Sequence, residues 1–228
     1  MNEAMDWPRR QMALTALTTE SFNLQTARMG TISEANGRST LYLGTLSSAV
    51  IALAFIGQAS DSFYVFALTL LPSVFLLGVF SYLRLVQTSV EDMVYAVASI
   101  RIREYFVNLD PGARSYFPPT DLEGLRTLER MGFLPTGRLQ PFLTAASMIA
   151  CINSIVGGIA VAVATSALNA SAVVAALSGG LVALVFVTLS FVYQIRRFQR
   201  AAAGVPEMYK GQGAGVPWWS KGLEDENP

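Results

Sequence analysis

The feature that most constrains this chain is a run of fifty-seven residues, Leu139 to Ile195, that contains no Asp, Glu, Lys or Arg. A helix needs about twenty apolar residues to cross the hydrocarbon of a bilayer, so this run is long enough for two spans. The short polar cluster Asn169-Ala170-Ser171 lies near its middle. We therefore predict a membrane hairpin in which residues 141–168 and 172–195 are joined by a very short turn.

A second hairpin is predicted earlier in the chain, where two charge-free stretches, Ser39–Ser60 and Ser62–Leu83, lie on either side of Asp61. The chain is 52% hydrophobic and only 14% charged, whereas about 25% of the residues in an average soluble domain are charged. The predicted fold is therefore an all-α membrane protein, with four transmembrane helices in two hairpins and cytoplasmic helical extensions.

The alternation of polar and apolar sequence predicts five segments. They are a cytoplasmic N-terminal helical segment at 1–38, a first transmembrane hairpin at 39–86, a cytoplasmic helical insert at 87–138, a second transmembrane hairpin at 139–195 and a disordered cytoplasmic tail at 196–228. Within the polar segments, apolar spacing and capping signals predict helices at 19–38, 88–107 and 121–131. Disorder is predicted for the tail from its glycines and prolines.

The distribution of basic residues predicts the orientation. All sixteen Lys and Arg lie in the polar sequence at 1–38, 84–138 or 196–228, and the turns near Asp61 and Asn169 contain none. Loops rich in Lys and Arg stay on the cytoplasmic side of a membrane. We therefore expect a multi-pass protein of the inner (plasma) membrane with both termini in the cytoplasm.

Small residues recur at every fourth position in three of the predicted spans. They are Gly44, Ser48 and Ala52 in the first span, Ser154, Gly158 and Ala162 in the third, and Ala172, Ala176 and Gly180 in the fourth. This spacing lets helix backbones approach closely in lipid. It predicts helix packing, either within one chain or between copies in a homo-oligomer.

Asn153 is the most polar residue deep in a predicted span, and Ser147 and Ser154 lie near it in the sequence. An amide in hydrocarbon needs a partner, so Asn153 is expected to face protein or water. An interhelical hydrogen bond is the favoured interpretation, and a pore-lining or ligand-contacting role is the alternative. Cys151 is interpreted as a small packing residue.

Several classes of function are disfavoured by what the sequence lacks. There is no His and a single Cys, so imidazole catalysis, an intrachain disulfide and a thiolate metal cluster are excluded. The net charge is zero, which favours no nucleic acid partner. The sequence contains no paired carboxylates within a span, no phosphate-binding glycine loop and no nucleophile elbow. We therefore expect no enzymatic activity, no cofactor and no proton-coupled transport.

Residues 17–38, with Ile100-Arg101-Ile102-Arg103-Glu104-Tyr105 and Thr144-Ala145-Ala146-Ser147-Met148, carry a resemblance that covers roughly 15–195. On these residues the chain resembles a family of small four-span membrane proteins from actinobacteria. That resemblance implies the membrane fold and supplies no activity or site residues. In layout alone, the chain is also similar to four-pass membrane effectors of bacterial antiphage signalling systems.

Two functional hypotheses follow from these patterns. The first is a non-enzymatic inner-membrane protein that self-associates, as a pore-forming or membrane-perturbing effector. The second is a membrane adaptor that anchors a cytoplasmic partner. In either case the bilayer is one partner, and the insert at 87–138 is the candidate surface for a cytoplasmic protein or a small ligand. A small-solute transporter is a third, weaker hypothesis.

Overall fold

The computed structural model describes residues 3–57, 62–117 and 144–208, and within them the chain is helical with no β-strand. The elements are α1 at Glu3–Ile56, α2 at Phe63–Leu109, a 3₁₀ turn at Pro111–Tyr116, α3 at Ala145–Ala167 and α4 at Ala172–Met208. All four α-helices are long and apolar enough to cross a membrane. The prediction of an all-α protein with four spans is therefore confirmed, and the chain is a multi-pass membrane protein.

Helix lengths show how much of each element the bilayer can hold. At 1.5 Å per residue, α3, with 23 residues, is about 35 Å long and fits a hydrocarbon layer of about 30 Å. At the same rise α1, with 54 residues, and α2, with 47, are about 80 and 70 Å long. Both helices must therefore extend well beyond the bilayer.

The helices predicted at 19–38 and 88–107 are continuous with the membrane spans that they adjoin. Residues 19–38 are part of α1, and residues 88–107 are part of α2. Thr88 does not cap a helix start, because its hydroxyl donates to the carbonyl of Arg84, one turn earlier (2.9 Å). The apolar spans are already helical when they leave the membrane, so continuing the helix needs no new nucleation. The third predicted helix, at 121–131, lies outside the described residues.

The turn of the second hairpin lies where the sequence predicts it. α3 ends at Ala167, and Asn169 takes a positive φ of 59°, a conformation that Asn tolerates better than most residues. The amide of Ala170 then donates to the carbonyl of Thr165 (3.2 Å). Ser171 begins α4 by accepting from the amide of Val174 (3.4 Å). The corresponding turn near Asp61 lies outside the described residues.

The predicted disorder of the tail differs from the structure over residues 196–208, because α4 continues to Met208. The cause is local: Arg196, Arg197, Gln199, Arg200 and the three alanines that follow are good helix formers, and they extend a helix that already exists. The remainder of that segment, 209–228, lies outside the described residues.

The chain divides into two compact units. The first contains Met1–Ser33, Ser89–Thr136 and Ala202–Pro228, and the second contains Glu34–Thr88 and Gly137–Ala201. The second unit holds both predicted hairpins. Its core draws apolar side chains from α1, α2 and α3, with Tyr42, Leu85 and Ile149 among the most deeply buried. α4 contributes less, since only 11% of its most apolar window is buried.

Candidate functional site

Asn153 lies in the interior of the second unit, in the middle of α3, and is 1% exposed. Its Oδ1 accepts a hydrogen bond from the Tyr42 hydroxyl of α1 (3.1 Å). Gly78 of α2 makes room for this pair, because a Cβ at that position would overlap Asn153 Oδ1 and lie 2.7 Å from Tyr42 Cε2. Asn153 Nδ2 is buried and has no hydrogen-bond partner among the described residues. The site thus joins three helices and leaves one amide donor unused.

Ser147 belongs to a second polar cluster, which links the start of α3 to α4. Gln194 of α4 is fully buried, and its Nε2 donates to Thr144 Oγ1 and Ser147 Oγ, both at 3.2 Å. Thr144 also begins α3, because its Oγ1 accepts from the amide of Ser147 (3.2 Å). The capping residue of one helix therefore also binds the neighbouring helix.

Ser154, the third residue of the predicted polar site, is buried but makes no interhelical hydrogen bond. Its Oγ donates to the carbonyl of Ala150, one turn earlier in α3 (2.6 Å). A serine that bonds its own helix is small and internally satisfied, so it can lie at a packed surface. The structure therefore separates the three predicted residues: Asn153 and Ser147 join different helices, and Ser154 does not.

A third buried contact ties α2 to α4. The Tyr82 hydroxyl donates to the backbone carbonyl of Ser190 (2.5 Å), and the ring lies 6.3 Å from that of Tyr193. The carbonyl of Ser190 already belongs to a helix, so Tyr82 adds a second donor to it. Tyr42, Gly78, Tyr82 and Gln194 were not predicted as site residues. Their positions in the sequence look like ordinary membrane-boundary residues, and only the packing shows that they meet.

The predicted small-residue positions divide into packed and exposed ones. Gly158 is packed: a Cβ there would lie 2.6 Å from the Gly179 carbonyl oxygen and 2.9 Å from Ala183 Cβ. Gly44 and Gly180 are exposed, and no described residue lies within 4 Å of where their Cβ would be. Of the remaining predicted positions, Ser48, Ala172 and Ala176 are exposed, Ala52 and Ala162 are half-buried, and Ser154 is buried. The predicted packing residue Cys151 is also exposed.

Charged residues meet at one end of the second unit. Glu34 of α1 accepts from both Arg84 of α2 (2.7 and 2.9 Å) and Arg38, one turn along α1 (2.9 Å). Glu34 precedes the charge-free part of α1, which begins at Ser39. Hydrogen bonds from Arg84 and then Arg38 favour its ionised form and lower its pKa to about 2. This cluster holds the carboxylate charged at any physiological pH.

The first unit contains a similar pair between the same two helices. Arg28 binds Asp92 through two hydrogen bonds (2.9 and 3.2 Å), and the Thr31 hydroxyl lies 3.4 Å from the same carboxylate. The Asp92 hydrogen bond raises the pKa of Arg28. Bidentate pairs of this kind fix orientation as well as adding energy.

These contacts indicate what the interior can do chemically. The groups at the level of Asn153 are neutral, and Tyr42, Asn153, Ser147 and Gln194 are enclosed by protein within a single chain. In the described residues, no three His, Cys, Asp or Glu side chains lie close enough together to hold a metal ion. These buried polar groups therefore form interhelical hydrogen bonds, and in the bilayer such bonds orient helices.

No protein-family model, curated protein or solved structure matches the chain.

Proposed function

We propose that this chain is a non-enzymatic membrane protein that self-associates in the bilayer through an exposed face of α1. Gly37, Thr40, Gly44, Ser47 and Ser48 form that face, which we call the small-residue face. All five are exposed, and at 3.6 residues per turn they occupy an arc of about 100°. This face is the single observation that carries the proposal.

The packing of the protomer supports an intermolecular use of this face. Among the described residues, nothing lies within 4 Å of a Cβ built on Gly37 or Gly44, so these glycines serve no close packing there. Gly158, in contrast, packs closely against Gly179 and Ala183 of α4. In lipid, helix association is driven by close backbone approach, because the tails are as apolar as any side chain. This exposed face of small residues is therefore a surface on which a second copy can pack closely.

The hydroxyl groups on this face do not oppose such an association. Ser47 donates to the carbonyl of Leu43 (2.8 Å) and Ser48 to that of Gly44 (2.9 Å). The hydroxyl protons of these two serines are thus satisfied by their own helix when lipid is displaced. Each oxygen still has a lone pair for a weak contact from a neighbouring helix.

We further propose that, when the protein perturbs the membrane, ions and small solutes cross it along a path between neighbouring protomers. Asn153 is enclosed within one chain and bonded to Tyr42, so it is poorly placed to line a path. Exposed hydroxyl groups such as Thr45, Ser48 and Thr69 are the polar groups that an assembly could enclose. The architectural similarity to four-pass antiphage effectors also supports this form.

Cysteine cross-linking in vesicles tests the self-association. In a Cys151→Ser background, Gly44→Cys should form disulfide-linked dimers on mild oxidation, at high lipid dilution. Leu76→Cys is the matched control, because Leu76 is also exposed and lies at a similar depth on α2, the antiparallel neighbour. Equal yields at the two positions would show random collision and contradict the proposal.

Release of ions and small dyes from vesicles tests the membrane-perturbing form. Release should rise with the amount of protein, and Gly44→Leu should reduce it, because the larger side chain blocks close approach of a second copy at a position where a Cβ has no described neighbour within 4 Å. Asn153→Leu should affect release only through folding. Tight vesicles at every protein amount would refute membrane perturbation and leave self-association to the cross-linking result.

A second candidate function, membrane adaptor, is favoured by the surface of the first unit. Phe22, Met29 and Ile32 are 65%, 64% and 48% exposed and lie on one face of α1. Large apolar groups exposed together outside a bilayer are typical of a protein-binding surface. Serine at all three positions should abolish capture of a partner, whereas Met12→Ser, at a similarly exposed position nearly three turns earlier on α1, should not. Equal capture by the two variants would contradict the adaptor function.

A further inference from the structure

A group of three arginines lies at the end of the apolar part of α4. Arg196, Arg197 and Arg200 are exposed, and their guanidinium groups have no partner in the described part of the chain. α4 contains no acidic residue before Glu207. The three positions are related by one, three and four residues, so they share an arc of about 100° on the helix. Their side chains can therefore converge on one ligand.

The second unit offers these arginines no competing carboxylate among its described residues. Its described acidic residue, Glu34, already binds Arg84 and Arg38. That end of the unit therefore carries an excess of positive charge. Guanidinium groups bind phosphate through paired, charge-assisted hydrogen bonds, and they do so better than ammonium groups.

The same arc of α4 continues towards the membrane centre as an apolar surface. Tyr193 lies one turn before the arginines and is 42% exposed, and Leu189 lies one turn further and is 60% exposed. The order along the helix is thus apolar, then aromatic, then basic. A lipid has the same order: acyl chain, interfacial region and charged headgroup, with aromatic rings favoured at the interface.

We infer that Arg196, Arg197 and Arg200 bind the headgroup phosphate of an anionic phospholipid whose acyl chain lies along Leu189 and Tyr193. The site selects lipid over a free phosphate ion because only the lipid also covers the exposed apolar part of the arc. This inference does not depend on self-association, since α4 presents the arc in a single protomer.

Spin-labelled lipids in reconstituted vesicles test the inference on the full chain. Labelled phosphatidylglycerol should associate with the wild-type protein several-fold more than labelled phosphatidylcholine, in vesicles of unlabelled phosphatidylcholine. Basic groups near a membrane surface attract anionic lipid, by a factor of up to about five each. The variant R196Q/R197Q/R200Q should therefore lose most of the preference, and R196K/R197K/R200K should keep part of it.

Two controls separate the site from general electrostatics. The variant R103Q/R114Q removes positive charge outside the second unit and should leave the lipid preference unchanged. The single variant R200Q should give an intermediate preference, which guards against a folding defect in the triple variant. The inference is overturned if wild-type protein shows no preference, or if the triple glutamine variant keeps it in full.

Discussion

The contact between Gly158 of α3 and Gly179 of α4 predicts that Gly158→Ala lowers the stability of the protein. A Cβ at Gly158 would lie 2.6 Å from the Gly179 carbonyl oxygen, whereas ordinary contact begins at 3.4 Å. The two helices must therefore separate locally by about 0.8 Å, because a helix carbonyl cannot rotate away as a flexible side chain can. Overpacking of this kind costs about 1–3 kcal/mol.

Gly180→Ala is the matched control for this substitution. Gly180 is also a glycine within a membrane helix, and nothing lies within 4 Å of where its Cβ would be. The intrinsic gain of alanine over glycine in a helix, about 1 kcal/mol, is common to both substitutions. The difference between the two variants therefore isolates the contact, and Gly158→Ala should be less stable by about 1–3 kcal/mol.

The assay is unfolding of purified protein in mild detergent, followed by circular dichroism as a denaturing detergent is added. Both variants should be compared under conditions in which the protein is monomeric, so that association does not contribute. Equal stability of the two variants would refute the close α3–α4 approach. A loss at Gly180 without a loss at Gly158 would reverse the assignment of the packed face.

Three further predictions test other parts of the structure. Tyr42→Phe removes the donor to the buried Asn153 and should lower the free energy of unfolding in detergent by about 1 kcal/mol. An unchanged free energy of unfolding would mean that the hydrogen bond is absent in the detergent-solubilised protein. The pKa of Glu34 is lowered to about 2, so its stabilising contribution is complete above its usual pKa and is lost as the pH falls towards 2. The stability difference between wild type and Glu34→Gln should accordingly disappear on acidification, and a difference that grows instead would contradict the pair. In a Cys151→Ser background, Asn169→Cys should react with an impermeant thiol reagent outside intact cells and Ser115→Cys should not; the reverse pattern would refute the predicted orientation.

The buried polar residues show why the site could be only partly predicted. Asn153 was identifiable because an amide in hydrocarbon must find a partner, whichever helix supplies it. The identity of the partner, Tyr42, depends on the relative rotation of α1 and α3. Gln194 lies two residues before a pair of arginines, and it looks like an interfacial residue until the structure places it in the interior with 0% exposed.

The sequence also did not show which of the small residues pack against another helix. Spacing by four marks Gly44, Gly158 and Gly180 equally, yet of these three only Gly158 is in close contact with other described residues. In a soluble helix the buried face is marked by its hydrophobicity. In a membrane helix every face is apolar, so the sequence does not distinguish the face towards a neighbouring helix from the face towards lipid.

The sequence by itself determined the number of spans and the turn at Asn169. These features follow from the cost of placing charge in hydrocarbon, which acts residue by residue along the chain. Only the tertiary structure decided which helix faces meet. Asn153 binds Tyr42 at the position where Gly78 leaves room, and Gly158 packs against Gly179. Those choices depend on how three or four helices rotate and fit together, and that is a property of their combined shape, which no single segment encodes.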